Sequence, residues 1–567
     1  MFSDRKILRM RKVLLIVLSG VVGALWGADW SSQSGNPQRD GWARGEESLV
    51  KDQVPHLRLL YKVQLDNQSK GPDALTSPIV LSNLITYKGF KEMLFVAGSS
   101  DNIYSIDAAL NELLWKTHFD SKSAEPEASA TSVCPGGLTA SIAIIGGSSP
   151  LGRGFGAARR RATTPGPGVG PGQGGAAHRP ARTPDLPVSP NNDVFSSGFG
   201  RNGYVFAIGS DGYLRFVRQS DGNDTAIAPI KLVPPHSKVS SINIGGTTVY
   251  AATVDGCGEH PNALYAIDLG GPDRNVVTFA TNGSGFSGEG GTAVGADGTI
   301  YGHVDSGHGD VAGKYNDTVL ALNAGDLKVK DYFTPSTTVP SGSDTVSPFG
   351  VTPVPFRWKG KDLVVAGGKD GTVYLLDSTA LGGADHHTPL FKTEPLLSNV
   401  GNDAEHGIWG DFSTWEDTDT NVRWIYAAVR GPLASNVKFP LSNGSTASGS
   451  IVAFKVEEQN GRPVLTPQWA SRDLIAPASP VTTNGLVFAL STGQSLQKDS
   501  GTEANHATMY VLDGTTGKEL FSTGNDAATF THRSGLALAN GRVYFTTHDN
   551  TVYCYGLPAQ QPQLTER

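Results

Sequence analysis

Short apolar runs separated by glycine and aspartate fill most of the chain, and residues 346–377 hold three of them in a row. The runs cover 349–355, 363–366 and 372–376, and Gly and Asp lie in the turns between them. Runs of four to eight β-branched and aromatic residues between such turns are typical of antiparallel strands joined by hairpins. None of the runs has the length or the helical spacing that predicts a helix.

One strand of this unit recurs along the chain. Its copies include DNIYSID, NALYAID, DTVLALN, DGTVYLLD, GSIVAFK, ATMYVLD and NTVYCYG, which begin at positions 101, 262, 317, 370, 449, 507 and 550. A repeated unit of a few strands cannot bury its faces alone, so it packs against its neighbours. The sequence therefore predicts an all-β fold, an eight-bladed β-propeller of four-stranded antiparallel blades.

The last repeat is one strand short. It contains three strand-like runs, at 534–539, 542–546 and 551–555, whereas the run at 57–65 belongs to no repeat. Pairing the early run with the last repeat closes the ring and removes its free edges. We therefore expect eight blades closed by an N-terminal strand. Seven blades are the alternative if the divergent second or sixth repeat is miscounted.

Residues 1–28 have the pattern of a secretory signal peptide. Five basic residues precede a 14-residue apolar core, and small residues follow it. The cleavage position is open between Ala24 and Ala28, and an uncleaved anchor is the alternative. We expect an extracytoplasmic protein, periplasmic or secreted, with no transmembrane domain beyond this segment. Residues 29–558 then form a single propeller domain, and 559–567 form a flexible tail.

Residues 146–200 differ from the rest of the domain because Gly, Pro, Ala and Arg dominate them. Such a composition cannot bury a core, so the sequence predicts a disordered insert within the second repeat. A basic tether for acidic lipid or polysaccharide is one interpretation. The favoured interpretation is a solvated loop that the fold tolerates.

The net charge limits the classes of partner that the protein can bind, and the cysteines indicate whether a disulfide forms. The 46 Lys and Arg residues face 53 Asp and Glu residues, for a net charge of −7. This balance argues against a nucleic-acid partner. Cys134 and Cys257 lie in glycine-flanked loops of adjacent repeats, whereas Cys554 lies inside a strand. We expect a Cys134–Cys257 disulfide with a buried free thiol at Cys554; the alternative is three buried thiols.

Two segments carry a resemblance to a known family. SIDAALNELLW at 105–115 and VLDGTTGKELF at 511–521 resemble the tryptophan-docking motif of quinoprotein (PQQ-type) propellers. In this motif an aspartate accepts turn N–H groups, a Gly or Asn takes positive φ, and an aromatic ring packs between blades. The family contains alcohol dehydrogenases and also a non-catalytic outer-membrane assembly propeller. The resemblance covers most of residues 57–556 and implies the fold rather than an activity.

The chain departs from the catalytic members of that family. It has no adjacent Cys-Cys pair and no C-x-x-C-H haem site, and no motif places a catalytic Asp or calcium ligands. We therefore expect a monomeric binding or scaffold module for a protein or an envelope polymer, and we assign it no cofactor. The alternative is a PQQ-dependent dehydrogenase that oxidises an alcohol or a sugar and uses PQQ with calcium.

Candidate site residues come from the segments that lead into the innermost strands. Arg533 could hold carboxylates, Trp409 could stack on a ring, and Glu289 and Asp411 could bind a hard cation. The competing interpretation is a solvated channel mouth. A second polar group has metal-ligand residue types, but we favour a polar hairpin there; it consists of His303, Asp305, His308 and Asp310. No catalytic residue and no metal site is predicted.

Overall fold

The structure is a computed structural model. It describes residues 29–86, 89–120, 134, 136–138, 140–145, 203–223, 227–270, 273–281, 285–305, 315–335, 351–368, 371–397, 406–494, 505–532 and 534–558. The predicted signal peptide, the insert at 146–200 and the tail at 559–567 lie outside these residues. Those three predictions therefore stay predictions.

The described chain is built of strands, with short 3-10 turns at Lys51–His56, Cys257–Glu259 and Gly383–Asp385. Strand β1 (Arg58–Gln64) comes first. Four sheets of four antiparallel strands follow: β2 (Ile79–Thr86), β3 (Gly89–Gly98), β4 (Asn102–Asp107), β5 (Glu112–His118); β6 (Ala143–Ile144), β7 (Tyr204–Ile208), β8 (Tyr213–Arg218), β9 (Ile230–Lys231); β10 (Lys238–Gly245), β11 (Thr248–Val254), β12 (Ala263–Asp268), β13 (Val276–Ala280); β14 (Phe286–Val294), β15 (Ile300–Val304), β16 (Thr318–Leu322), β17 (Val329–Phe333).

The second half of the chain repeats this order. Short β18 (Val351–Thr352) pairs in parallel with β23 of the sixth sheet. The remaining strands are β19 (Val354–Trp358), β20 (Lys361–Gly367), β21 (Val373–Asp377), β22 (Phe391–Lys392); β23 (Gly407–Asp417), β24 (Val422–Arg430), β25 (Leu441–Ser442), β26 (Gly449–Gln459), β27 (Arg462–Ala470); β28 (Val481–Thr483), β29 (Leu486–Ser491), β30 (Thr508–Asp513), β31 (Glu519–Ser522); β32 (Ala537–Ala539), β33 (Arg542–Thr546), β34 (Thr551–Gly556).

These strands lie in eight sheets, which we number one to eight in the order of their innermost strands. Sheet six has six strands because β18 and β25 add to its four antiparallel strands. In the eighth sheet the order is β1-β34-β33-β32, so the first and the last described strands are neighbours. They run antiparallel, with Leu59 opposite Tyr555 and Gln64 opposite Thr551. The architecture is a β-propeller of four-stranded antiparallel blades.

The apolar cores lie between neighbouring sheets. One cluster combines Val80 of sheet one, Phe488 of sheet seven and Tyr544 of sheet eight. Because each sheet is covered on both faces, the middle strands are buried along their whole length, as in β4 and β29. The outer strands β1 and β5 instead have one exposed edge and bury fewer residues. This pattern explains why the middle strands are continuous apolar runs in the sequence.

The docking motif has the contacts that the sequence predicts. Asp107 Oδ1 accepts the backbone N–H groups of Ala109 and Leu110, at 3.0 and 3.1 Å, and Asn111 has a φ of 56°. Trp115 is buried, and its Nε1 donates to the carbonyl oxygen of Gln219 in the next sheet at 3.0 Å. The aromatic residue of this motif therefore links sheet one to sheet two through a hydrogen bond and through its buried ring.

A disulfide joins sheets two and three. Cys134, in the segment before β6, is bonded to Cys257, in the turn after β11, with their Cα atoms 5.5 Å apart. This is the pairing that the sequence analysis expects. Cys554 is a buried free cysteine on β34, and burial raises the pKa of its thiol to about 12.

No helix in the described part of the chain is both long and apolar enough to cross a membrane.

Candidate functional site

Residues 30–43, which we call the channel segment, lie at the centre of the ring. Their backbone bonds to the innermost strands of five sheets; the pairs are Trp30–Val80, Ser31–Ile144, Pro37–Val294, Asp40–Thr414 and Gly41–Thr482. Strands of five different sheets approach one another only around the axis of a propeller. The segment that the sequence shows only as polar and rich in turn residues therefore fills the central channel.

The local sequence suits this narrow space. Gly35 and Gly41 have φ values of 88° and 62°, which let the segment turn sharply without a Cβ clash. A Cβ on Gly41 would lie about 3.0 Å from the carbonyl oxygen of Pro480. Ser34 and Arg39 also have positive φ, at 52° and 60°. The surrounding sheets hold these strained residues through the contacts described below.

Arg39 is the most deeply buried charge in the channel segment, with 0% of its surface exposed. Its Nη1 donates to the carbonyl oxygen of Gln33 at 2.7 Å, and its Nη2 to Ser241 Oγ and to the carbonyl oxygen of Ile242, at 2.8 and 2.9 Å. Nε donates to the carbonyl oxygen of Thr292 at 3.3 Å. Burial lowers the pKa of this guanidinium to about 10, although the charge of Asp411 acts in the opposite direction.

Glu289 and Asp411 form the polar centre next to this segment. Glu289 Oε1 accepts a hydrogen bond from Trp409 Nε1 at 3.1 Å. Its Oε2 accepts from Ser479 Oγ at 3.1 Å and from Gln33 Nε2 at 3.4 Å. Burial raises the pKa of Glu289, and the nearby charge of Asp411 raises it further, against the opposing effects of Arg430 and of these hydrogen bonds.

Asp411 is held from two sides. Its Oδ2 accepts from the Ser34 hydroxyl at 2.6 Å, and its Oδ1 accepts from the backbone N–H of Gly290 at 3.1 Å. Its own backbone N–H donates to Ser479 Oγ at 2.8 Å. Every carboxylate oxygen of Glu289 and Asp411 thus has a donor from the chain itself.

The guanidinium group of Arg430 covers one face of the Trp409 ring. The guanidinium carbon of Arg430 lies 3.6 Å from the ring centroid, a close cation–π contact. Nε of Arg430 also donates to the carbonyl oxygen of Pro477 at 3.4 Å. Arg430 therefore supplies positive charge beside Glu289 and occupies the position of a stacked ligand on that face.

The structure brings together three of the four predicted site residues, Glu289, Trp409 and Asp411, and Arg533 lies outside the described residues. Of the second group, His303 bonds to residues of sheet four, and His308 and Asp310 lie outside the described residues. Across the described ranges, no cluster of three or more His, Cys, Asp or Glu residues could hold a metal ion.

Sequence reasoning missed the residues that complete the centre, which are Gln33, Ser34, Arg39, Arg430 and Ser479. One signal was present, since Arg430 ends the otherwise apolar run WIYAAVR of an inner-layer strand. The channel segment gave no such signal, because short polar residues between a predicted signal peptide and a first repeat have the composition of a linker.

The arrangement does not fit PQQ with calcium. A cation between Glu289 and Asp411 would have to displace the donors Ser34, Gln33 and Ser479, and a ring on the covered face of Trp409 would have to displace Arg430. Each displacement would leave buried polar groups of the chain without partners. The residues present therefore assign no catalytic step to such a cofactor.

The fold is a β-propeller of four-stranded antiparallel blades, and residues 30–43 of the same chain fill its channel. No protein-family model and no curated protein matches the sequence. Among solved structures, the chain is similar to the quinohemoprotein alcohol dehydrogenase of Comamonas testosteroni, at 10% identity and a TM-score of 0.52. It is also similar to quinohemoprotein alcohol dehydrogenase ADHIIG of Pseudomonas putida HK5, at 12% and 0.55.

Both matches cover 94% of this chain and 81% of the other. A third similar structure is BamB from Moraxella catarrhalis, at 14% identity and a TM-score of 0.35 over 62% of this chain and 93% of that one. This TM-score is too low to show that the two chains share a fold. The two dehydrogenase structures confirm the quinoprotein-type fold that the docking motif predicted, and at these identities they show the fold alone.

Proposed function

We propose that the protein is an extracytoplasmic binding or scaffold module for a protein or an envelope polymer. The channel segment carries this proposal, because it occupies the space in which a propeller of this type would hold a small ligand. The hydrogen bonds of Gln33 and Ser34 to Glu289 and Asp411 make that occupation part of the folded core. The outer surface is then left for recognition.

We also infer that the eight sheets are eight blades of one ring, rather than seven, and that β1 closes it. The eight separate sheets support the count. The pairing of β1 with β34 over six residue pairs supports the closure. In such a ring β1 covers the outer edge of β34, so that β34 is paired on both sides. The closed ring then acts as a rigid platform.

The Cys134–Cys257 disulfide supports the proposed location. Disulfides persist in oxidising compartments and are rare in the cytosol. A bridge between two neighbouring sheets agrees with a periplasmic or secreted protein, as does the basic and apolar pattern of residues 1–28.

A polar cleft at the junction of sheets six and seven is the recognition surface that we propose. It has a volume of about 350 Å³ and is lined by Asn443, Gly444, Ser445, Arg472, Asp473, Gly517 and Glu519. Arg472 bonds to Glu519 at 2.7 Å and lies over the Tyr510 ring at 4.8 Å. Charges of both signs beside glycines suit a polar, uncharged or zwitterionic chain rather than an apolar one.

Titration with PQQ and Ca²⁺ tests the choice between binding and catalysis. The mature protein is mixed with both, and tryptophan fluorescence, PQQ absorbance and dye-linked oxidation of alcohols and sugars are measured. We expect no saturable change and no turnover. Tight binding with turnover would refute the proposal and establish the dehydrogenase alternative.

Co-sedimentation with purified envelope polymer, and cross-linking to envelope proteins, test binding directly. We expect the wild-type protein to associate in one of the two assays and Arg472→Glu to weaken that association by about tenfold. Arg58→Glu, at an exposed position on β1, is the matched control and should bind normally. Equal binding by wild type and Arg472→Glu would remove the cleft from the proposal.

A further inference from the structure

Three side chains at one end of the adjacent strands β14, β15 and β16 in sheet four form a continuous hydrogen-bonded relay. Ser287 Oγ lies 2.7 Å from His303 Nδ1, and His303 Nε2 lies 3.2 Å from Asp317 Oδ1. Ser287 is near the start of β14, His303 is near the end of β15, and Asp317 immediately precedes β16. The relay is largely shielded, with 8% of Ser287 and 3% of His303 exposed.

The relay selects one tautomer of the neutral imidazole. A carboxylate oxygen only accepts, so the hydrogen bond to Asp317 requires a proton on His303 Nε2. In the neutral ring Nδ1 is then the lone-pair atom, and it faces the Ser287 hydroxyl. Ser287 Oγ can also donate to the backbone carbonyl of His303, at 3.1 Å. The hydroxyl proton therefore has two acceptors within reach, the Nδ1 base and this carbonyl oxygen, and it bonds to one of them at a time.

The backbone after Ser287 leaves the regular ladder. Ser287 pairs with His303, but the next pair along β14 and β15 is Thr292 with Gly302, so residues 288–291 form a bulge. Gly288 has a φ of 91° within it, and the N–H of Gly290 donates to Asp411. The N–H groups of Gly288 and Glu289 follow the hydroxyl directly in the chain. In the proposal below they donate to the negative charge that develops beside Ser287.

We propose that Ser287 is a nucleophile toward esters of small acyl groups, with His303 as its general base and Asp317 as a positioning residue. His303 Nδ1 takes the hydroxyl proton as Ser287 Oγ bonds to the ester carbonyl carbon. The proton then passes to the departing alcohol, which leaves an acyl-serine. Water, deprotonated by the same nitrogen, hydrolyses that ester and releases the carboxylic acid and the free hydroxyl.

The arrangement exchanges the roles of the two ring nitrogens relative to the Ser-His-Asp triad, in which the serine contacts Nε2. Both nitrogens of a neutral imidazole can act as the base once the other is protonated, so the chemistry is preserved. The small exposed fraction of Ser287 limits the substrate to short acyl groups. This inference is independent of the proposed binding function, because the relay shares no residue with the polar cleft.

Active-site labelling with a fluorophosphonate probe tests the inference on the folded, full-length protein. Peptide mass spectrometry should locate the probe on Ser287, and p-nitrophenyl acetate should be hydrolysed faster than by heat-unfolded protein. Ser287→Ala should lose the label. His303→Gln should slow labelling at least about 100-fold. Ser491→Ala is the matched control, since Ser491 is 7% exposed and bonds to Ile475 rather than to a histidine.

Asp317 provides the readout that separates a relay from a structural bridge. Asp317→Asn should slow labelling at least about tenfold, and Asp317→Glu should restore most of the rate, at unchanged melting temperature. Absence of label on Ser287 in the wild-type protein would overturn the proposal. A labelling rate that is equal in wild type and His303→Gln would also overturn it, because Ser287 would then react without its base.

Discussion

Arg39 is the residue on which the centre of the molecule depends most. Its guanidinium donates to the carbonyl oxygens of three residues and to one hydroxyl, in a site from which water is excluded. Removing the donor leaves those acceptors buried without partners, a cost that usually exceeds the value of the bonds themselves. The effect of a substitution should therefore be large although no ligand is involved.

We expect Arg39→Met to lower the free energy of unfolding by about 3–5 kcal/mol, as for other broken buried charge networks. Arg39→Lys should lose less, because it keeps the charge and some of the donors. Urea denaturation followed by tryptophan fluorescence measures both. Arg58→Met, at an exposed arginine, is the control, and equal stability of the Arg39→Met and Arg58→Met proteins would contradict the role assigned to Arg39.

Asp513 of the second docking motif makes stability depend on pH. Burial acts to raise its pKa, but hydrogen bonds from Thr515 and the charge of Lys51, 2.9 Å away, outweigh this and lower the pKa to about 2. A carboxyl with a lowered folded pKa stabilises the fold above its unfolded pKa, and this contribution is lost as the pH falls through the folded value. The relevant window lies between about pH 4 and about pH 2.

Asp513→Asn should therefore be less stable than wild type at pH 7, by about 2 kcal/mol, and the difference should shrink as the pH falls toward 2. Thermal melting at pH 7, 4, 3 and 2 measures it. Asp419→Asn, at an exposed turn, should melt like wild type throughout. A difference between Asp513→Asn and wild type that stays constant across this range would refute the assignment.

Among single residues, the sequence predicted a role for those that lie in a repeated motif or next to the start of an innermost strand. Glu289, Trp409 and Asp411 could be proposed because repeats fix where each inner strand begins. Their partners Gln33 and Ser34 could not, because they come from a segment with no apolar pattern. Their position depends on contacts more than 250 residues away, such as that between Ser34 and Asp411.

Among the elements, strand β1 is short, but the eighth sheet depends on it for its outermost strand. It covers the outer edge of β34, and deleting it would expose the backbone N–H and C=O groups of that edge. Val63→Pro within β1 should weaken the pairing while leaving the channel segment in place. Deletion of residues 29–66 removes both.

We expect the Val63→Pro protein to associate through the exposed edge and the deletion protein to aggregate. Size-exclusion chromatography with light scattering measures the molar mass of each. Lys62→Ala, at the neighbouring and more exposed position, is the control. Deletion and proline variants that stay monomeric and melt like wild type would show that β1 is not needed to close the sheet.

Elements were predictable where the repeat was intact. The alternating and continuous apolar runs of β4, β12, β21 and β30 mark strands because each is buried between two sheets. The strands β6, β9, β18, β22 and β25 have only two residues each, too few to carry a period of their own. Their pairing is decided by the neighbouring chain and not by their own sequence.

In the whole molecule, the Cys134–Cys257 bridge acts across two sheets and closes a loop of 123 residues. Such a cross-link restricts the unfolded chain far more than a local one. Replacing both cysteines by serine should lower the free energy of unfolding by about 3 kcal/mol. Cys554 is buried and belongs to the core, so it offers no alternative partner in the folded protein.

Thiol titration of the unfolded, unreduced protein and urea denaturation with and without reductant measure this effect. We expect one free thiol in the wild-type protein and a reductant-insensitive midpoint in the double-serine variant. Three free thiols in the unreduced wild-type protein would contradict the bridge.

The channel segment precedes every sheet in the sequence, yet it also contacts sheet seven, one of the last to be synthesised. Ala43 accepts a hydrogen bond from Thr483, 440 positions later, and Glu46 accepts one from Gly541, 495 positions later. Contacts of such high order form slowly and need nearly the whole polypeptide. We therefore expect the ring to close only after sheet eight has been synthesised, and a chain truncated before sheet seven lacks some of the contacts that hold residues 30–43. Until then, unpaired sheet edges are exposed and can pair with other chains, which favours aggregation.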